Sequence, residues 1–151
     1  SPIGELIREV LALYQSNPEH QFTLSNDNGD INLKIDKNRF RQVLHNLLKN
    51  AIEASEEAKL PVNITLSFQA VKQKKGDFLE VAISDHGPGV PADMINTLFE
   101  PYITNKAKGT GLGLAIVKKI IEEHGGNVWA ENRKPAGVSI IMQLPLKDKK
   151  A

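Results

Sequence analysis

A long run of apolar residues at helical spacing most limits how this chain can fold. Between Asn38 and Ala58, apolar residues recur every three or four positions: Phe40, Val43, Leu44, Leu47, Leu48, Ala51 and Ile52. This continuous stripe predicts an amphipathic helix, and Asp36 is placed to serve as its N-cap. A helix of this kind has to bury one face against a second layer.

Alternating segments supply that layer. Six stretches show the period-two pattern of strands: 21–25, 31–35, 62–71, 78–84, 127–131 and 138–144. The first two flank the turn signal Asn26-Asp27-Asn28-Gly29 and predict a hairpin. The middle two predict a long antiparallel pair joined by a lysine-rich turn that contains Gly76.

Three further helices are predicted, over 3–14, from Pro91 to about Leu98, and over 112–124 before a Gly-Gly stop. Strand pairs alternating with helices favour an α+β fold. We expect a two-layer sandwich with a mixed, mostly antiparallel sheet and helices on one face. Residues 1–151 form one domain in this interpretation, with 147–151 as a solvated tail.

The composition excludes several classes of protein. The 151 residues include no cysteine and carry a net charge of +1, so disulfides, thiolate chemistry and a general attraction for nucleic acid are all excluded. No apolar run is long enough to span a bilayer. We therefore expect a cytoplasmic domain that contacts neither nucleic acid nor membrane, whether or not its parent protein is anchored in the inner membrane.

Five short motifs follow one another in a fixed order: 46-NLLKNAIEA-54, 85-DHGPG-89, 99-FEPY-102, 109-GTGLGL-114 and 124-HGG-126. Asn46 and Asn50 lie one helical turn apart, and an amide oxygen there could serve magnesium. The commoner fate of a helical asparagine is a solvated face. Together the motifs predict a nucleotide pocket without a P-loop.

Two of these motifs predict separate parts of that pocket. Asp85 ends a strand and could accept a hydrogen bond from an exocyclic amine, although an aspartate before glycine often only starts a turn. Segment 109–114 ends an irregular loop and opens a helix, a place suited to phosphates. Its glycine spacing does not fit a Rossmann fingerprint. Lys106 and Lys108, just ahead of the glycines, could reach a phosphate, although a lysine pair on a loop is more often only solvated; Lys106 is the better candidate.

The set of motifs resembles the catalytic and ATP-binding domain of bacterial sensor histidine kinases, a GHKL domain with the Bergerat fold. The first four motifs correspond to its N, G1, F and G2 boxes, and the resemblance covers nearly the whole chain. Segment 98–114 is most similar to the nitrogen-regulation sensor kinases of the NtrY and NtrB type.

The resemblance implies ATP and Mg²⁺ as cofactors and gives each residue a role. Asn50 would bind the metal, Asp85 the adenine amine, and residues from about 100 to 111 would form the ATP lid. The implied catalytic residues are Asn46, Asn50 and Lys106. The implied ATP-binding residues are Asn46, Asn50, Asp85, Gly87, Gly89, Lys106, Gly109, Thr110, Gly111, Leu112 and Gly113.

Two positions depart from the family pattern. His86 stands where many kinases carry Asn or Thr, and we expect it to face the lid side and to matter little. Glu53 stands where another large kinase group carries a lysine near the phosphates. That positive charge must then come from Lys49 or Lys106.

Asn46 bears on the type of reaction. The gyrase-like ATPases of this fold carry at that place a glutamate that activates water, and an amide cannot act as a base. The resemblance therefore implies phosphoryl transfer to a histidine on a dimerisation domain of the same protein, and from there to a response regulator. We expect helix 1–16 to follow that absent domain and the isolated chain not to phosphorylate itself.

Two other functions stay open at this stage. A GHKL serine kinase of the anti-sigma type would share the same boxes, although the lid sequence argues against it. A non-catalytic interaction module would retain the fold without binding nucleotide, although the intact motifs oppose this.

Overall fold

A computed structural model describes residues 3–26, 31–101, 113–133 and 136–146 of the chain. Its helices and strands, in chain order, are α1 (Ile3–Tyr14), β1 (His20–Asn26), α2 (Lys37–Glu57), β2 (Val62–Gln73), β3 (Gly76–Ser84), α3 (Gly113–Glu123), β4 (Asn127–Asn132) and β5 (Val138–Pro145). A 3₁₀ turn, Ile95–Thr97, lies among the described residues between β3 and α3.

The strands form one five-stranded sheet in the order β1-β2-β3-β5-β4. β1 runs parallel to β2, and the other neighbours are antiparallel. The last strand along the chain, β5, is therefore an interior strand between β3 and β4. The predicted α+β class with a mixed, mostly antiparallel sheet is confirmed.

One face of the sheet forms the core with the helices. The buried side chains alternate along three strands: Val62, Ile64, Leu66 and Phe68 on β2, Leu79, Val81 and Ile83 on β3, and Val138, Ile140, Met142 and Leu144 on β5. The apolar stripe of α2 is buried in the same cluster. The opposite sheet face includes the polar side chains of Ser84 and Ser139, whose hydroxyls lie 2.7 Å apart. The helical layer therefore lies on one side of the sheet.

The ends of α2 and α3 are set by capping groups. Asp36 Oδ1 accepts hydrogen bonds from the backbone N–H of Asn38 (2.9 Å) and of Arg39 (3.2 Å), so the predicted N-cap is confirmed. At the end of α3, Gly125 adopts φ +81°, and the Gly126 N–H donates to the Ile121 carbonyl over 2.9 Å. These bonds form a Schellman motif that turns the chain directly into β4.

The predicted hairpin between 21–25 and 31–35 is wrong. β1 pairs in parallel with β2, with Phe22 opposite Ile64, and the stretch from Ile31 to Ile35 forms no strand. Alternation shows which face a segment buries but not which strand it pairs with. Here α2 serves as the crossover of a βαβ unit, so β1 meets β2 instead of the segment nearest to it.

The helix predicted from Pro91 to Leu98 is reduced to the 3₁₀ turn, because a segment this short has little to gain from helix propagation. The tail 147–151 lies outside the described residues. Across the part of the chain that the structure describes, no helix is long and apolar enough to cross a membrane.

Candidate functional site

Asp85 directly follows β3 and is the only buried charged side chain among the described residues. Its N–H donates to the carbonyl of Val138 over 3.0 Å, which extends the pairing of β3 with β5. Its Oδ1 accepts from the N–H of Gly87 (2.9 Å) and from the N–H of Val138 (3.2 Å). No described residue donates to Oδ2. One carboxylate oxygen is thus fixed by two backbone donors.

The backbone around Asp85 is crowded. Gly137 has φ +101°, and a Cβ there would lie 2.1 Å from the Asp85 carbonyl oxygen. On the other side, Asn132 holds Val90 at both backbone groups: Val90 N–H donates to Asn132 Oδ1 (2.9 Å), and Asn132 Nδ2 donates to the Val90 carbonyl (2.7 Å). Gly89 (φ +85°) would bring a Cβ to 3.1 Å from that same Oδ1. Asn132 and Gly137, on either side of the connection between β4 and β5, therefore pack against the loop that contains Asp85.

A series of polar contacts also links this loop to Arg133 and to β2. Nη1 of Arg133 donates to the Asp85 carbonyl over 3.0 Å and lies 3.2 Å from His86 Nε2. His86 Nδ1 lies 3.0 Å from the carbonyl oxygen of Asn63, at the start of β2. The described partners of His86 thus come from β2 and the β4–β5 turn, and they give it a structural role that the sequence did not indicate.

Asn46 and Asn50 lie half-buried on α2, one turn apart as the sequence predicts. The Asn46 amide donates to the carbonyl of Gly113, the first residue of α3, over 3.4 Å. Gly87 lies against the same helix, since a Cβ on it would be 3.7 Å from the carbonyl of Ala54. α2 therefore contacts the loop after β3 near Ala54 and the beginning of α3 at Asn46.

Several predicted residues lie outside the described residues: Tyr102, Lys106, Gly109, Thr110, Gly111 and Leu112. The roles assigned to them stay predictions. Phe99, the first residue of the motif assigned to the F box, is buried in the core cluster. It anchors the last described residues before 102–112.

An open cleft of about 550 Å³ lies between residues 99–101 and the outer side of α3. Its lining residues are Phe99, Glu100, Pro101, Ala115, Lys118, Lys119, Glu122 and Glu123. Of the predicted ATP-binding residues that the structure describes, none is among them. The cleft is therefore a separate surface feature, next to the segment predicted to be the lid.

Three residues that shape the site were missed from the sequence: Asn132, Arg133 and Gly137. An isolated glycine directly before the strand pattern 138–144 is a signal of close backbone approach and could have indicated Gly137. Arg133 offers no such signal, because its importance depends on a sheet pairing between distant segments.

Comparison with known proteins assigns this fold and site to a family. The family described as histidine kinase-, DNA gyrase B-, and HSP90-like ATPase matches residues 35–148. The chain belongs to that family. This ATPase domain contains the N-box helix and the Asp85 loop described above, so the family resemblance stated from the motifs is confirmed.

Within the family, the similar proteins are sensor kinases. A putative NtrY-like sensor histidine kinase of Rickettsia conorii is 39% identical over 92% of this chain and 21% of its own length. The nucleotide-free catalytic domain of the histidine kinase ThkA is 36% identical, with a TM-score of 0.80, over 97% of this chain and 93% of that one.

A second ThkA structure shows that kinase in complex with the response regulator TrrA. It is 33% identical to this chain with a TM-score of 0.77, and the match covers all of this chain and 42% of ThkA. The chain spans about a fifth of the length of the NtrY-type relatives it matches. It therefore corresponds to the ATPase domain of much longer proteins.

Proposed function

We propose that this ATPase domain binds ATP with magnesium and supplies the γ-phosphate to a histidine on another domain of its parent protein. The observation that carries the proposal is the Asp85 carboxylate, which is buried with Oδ1 saturated and Oδ2 without a described donor. Oδ2 can still accept a hydrogen bond from a donor on a ligand. The exocyclic amine of adenine would supply that donor.

Asn50 supplies the amide oxygen for magnesium in this proposal. Among the described residues, no group of three His, Cys, Asp or Glu side chains could hold a metal ion. A cation here would have to take most of its ligands from phosphate oxygens and water. Magnesium is commonly held in this way beside a nucleotide.

The phosphates would lie at the beginning of α3. The peptide dipoles of a helix favour an anion at its N-terminus, and the contact of Asn46 with Gly113 places the N-box helix beside that end. Gly109, Thr110, Gly111, Leu112 and Gly113 would surround the phosphates, with Lys106 as the neutralising cation.

Asn46 favours transfer over hydrolysis, since an amide cannot deprotonate water. The similar proteins described above are histidine kinases, which favours histidine over serine as the acceptor. The complex of ThkA with TrrA suggests a response regulator as the final recipient of the phosphate. The proposed use of ATP implies a cytoplasmic location for this domain.

A titration with a fluorescent ATP analogue, with and without magnesium, tests nucleotide binding. We expect Asp85→Asn to weaken binding about tenfold or more, because a hydrogen bond to a charged group is lost. Asn50→Ala should abolish the effect of magnesium.

Each variant has a matched control in the chain. Asp77→Asn removes the same charge at the exposed, opposite end of β3, and Asn127→Ala removes an exposed amide at the start of β4. Neither should change the affinity. Equal losses in a variant and its control, or no saturable binding by the unaltered chain, would contradict the proposal.

Phosphoryl transfer is tested with γ-labelled ATP. We expect no label on the isolated chain, and label on a separately prepared histidine-bearing domain of the parent protein once the two are mixed. The label should be lost in mild acid and survive alkali, as phosphohistidine does. Acid-stable label would indicate a serine acceptor, and label on the isolated chain would refute the need for a second domain.

A further inference from the structure

Arg133 contacts both sides of the crowded turn beside Asp85. Its side chain is half-buried, and its own N–H donates to the Gly137 carbonyl over 2.8 Å. The guanidinium then donates to the Asp85 carbonyl (3.0 Å). Arg133 therefore links Gly137, which directly precedes β5, to the backbone carbonyl of Asp85.

His86 fixes the direction of that guanidinium. The Asn63 carbonyl can only accept, so the His86 Nδ1 that lies 3.0 Å from it has to carry the hydrogen. Nε2 of the neutral ring is then an acceptor, which suits the Arg133 nitrogen 3.2 Å away. A single tautomer satisfies both contacts and links β2, the Asp85 loop and the β4–β5 turn.

These contacts hold the peptide of Asp85 at both ends. Its N–H is bound to Val138 and its C=O to Arg133, while Oδ1 is bound by two backbone donors. The direction of Oδ2 is therefore set by the backbone that Arg133 holds. Recognition of a purine amine depends on that direction, because a hydrogen bond weakens steeply when its angle departs from linear.

We propose that Arg133, directed by His86, is a positioning residue that aims the Asp85 carboxylate at the 6-amino group of adenine. The proposal rests on the proposed function, since it presumes that adenine lies at Asp85. Arg133 touches neither the nucleotide nor the reacting phosphate in this proposal. Its effect is expected on base selectivity and not on binding of the triphosphate.

The test compares the dissociation constants of ATP and of purine riboside triphosphate, which lacks the 6-amino group. Both are measured for the unaltered chain, for Arg133→Met and for Arg41→Met. Arg41 is the control, because it pairs with Glu9 between α1 and α2 (3.1 Å), away from Asp85. Thermal unfolding of each variant is recorded alongside.

For the unaltered chain we expect ATP to bind about tenfold tighter than the desamino analogue, as for a hydrogen bond to a charged group. Arg133→Met should reduce this ratio by on the order of threefold to tenfold while leaving the analogue's affinity within about twofold. Arg41→Met should keep the ratio. An unchanged ratio in Arg133→Met, or an equal loss for both nucleotides, would overturn the proposal and leave Arg133 a merely structural residue.

A double-mutant cycle tests the role of His86. His86→Ala should lower the ratio in the same direction, and the double variant should lose no more than Arg133→Met alone, because both act through one guanidinium. Additive losses would overturn the link between them. If the unaltered chain binds neither nucleotide, the proposed function itself fails, a result distinct from all of these.

Discussion

Replacing Gly137 by alanine would place a methyl group where the Asp85 carbonyl oxygen lies, only 2.1 Å from the new Cβ. Gly76 offers a matched control. It also has a positive φ (+130°), but a Cβ there meets nothing within 4 Å. Gly76→Ala therefore adds backbone strain alone, whereas Gly137→Ala adds strain and a collision with a backbone atom that has no rotamer by which to move away.

The size of the difference can be worked from these two terms. A residue held in a sparsely populated backbone conformation costs about 1–3 kcal/mol, and this applies to both variants. Overpacking costs typically about 1–3 kcal/mol more, and this applies only to Gly137→Ala. For a chain of this length, each kcal/mol lowers the Tm by about 2–4 °C.

Urea unfolding followed by circular dichroism and by the fluorescence of Trp129, the only tryptophan, measures both variants. We expect Gly137→Ala to be less stable than Gly76→Ala by about 1–3 kcal/mol. The fluorescent ATP analogue should also bind more weakly to Gly137→Ala alone, since the displaced backbone carries Asp85. Equal stability and equal affinity of the two variants would refute the close-approach reasoning.

Two further predictions concern α1 and α2. Asp36→Ala should lower the unfolding free energy by about 1 kcal/mol through loss of the N-cap. Asp93→Ala, at an exposed position, is the control and should show no comparable loss. Urea unfolding measures both variants, and equal losses would contradict the capping role of Asp36. Burial raises the pKa of Tyr14, whose hydroxyl lies 2.7 Å from His45 Nδ1, above its ordinary value of 10.0. The stability that the neutral phenol contributes is complete below the ordinary pKa and is lost as the pH rises through the raised pKa of the folded protein. Between about pH 9 and about pH 11, the unfolding free energy should therefore fall more in the unaltered chain than in Tyr14→Phe. The same slope in both would contradict it.

Much of the fold follows from local pattern. The apolar stripe on α2, its Asp36 cap and the long β2–β3 pair are each encoded within one short segment, and each is confirmed. The pairing partner of β1 does not follow from its local sequence, because either edge of a strand can pair with another strand. The predicted hairpin failed for that reason.

In the candidate site, too, the residues in short local motifs were predicted and those that depend on strand pairing were not. Asp85, Gly87 and Asn46 belong to short motifs whose residue types match their chemistry, and the structure places the Asp85 loop and the beginning of α3 against the same helix. Arg133 and Gly137 act on Asp85 from about fifty residues further along the chain. Only the pairing of β3 with β5 brings them there, and no local pattern predicts it.

The position of β5 has a consequence for how the protein is made. The two N–H donors to Asp85 Oδ1 are not both in place before Val138 has paired beside β3, and β5 is the last of the described strands to leave the ribosome. A nascent chain ending at Asn132 would already contain all five sequence motifs and yet lack one of the two groups that orient the carboxylate. Nucleotide should therefore protect only the finished domain, and tight ATP binding would report that its last interior strand has been inserted.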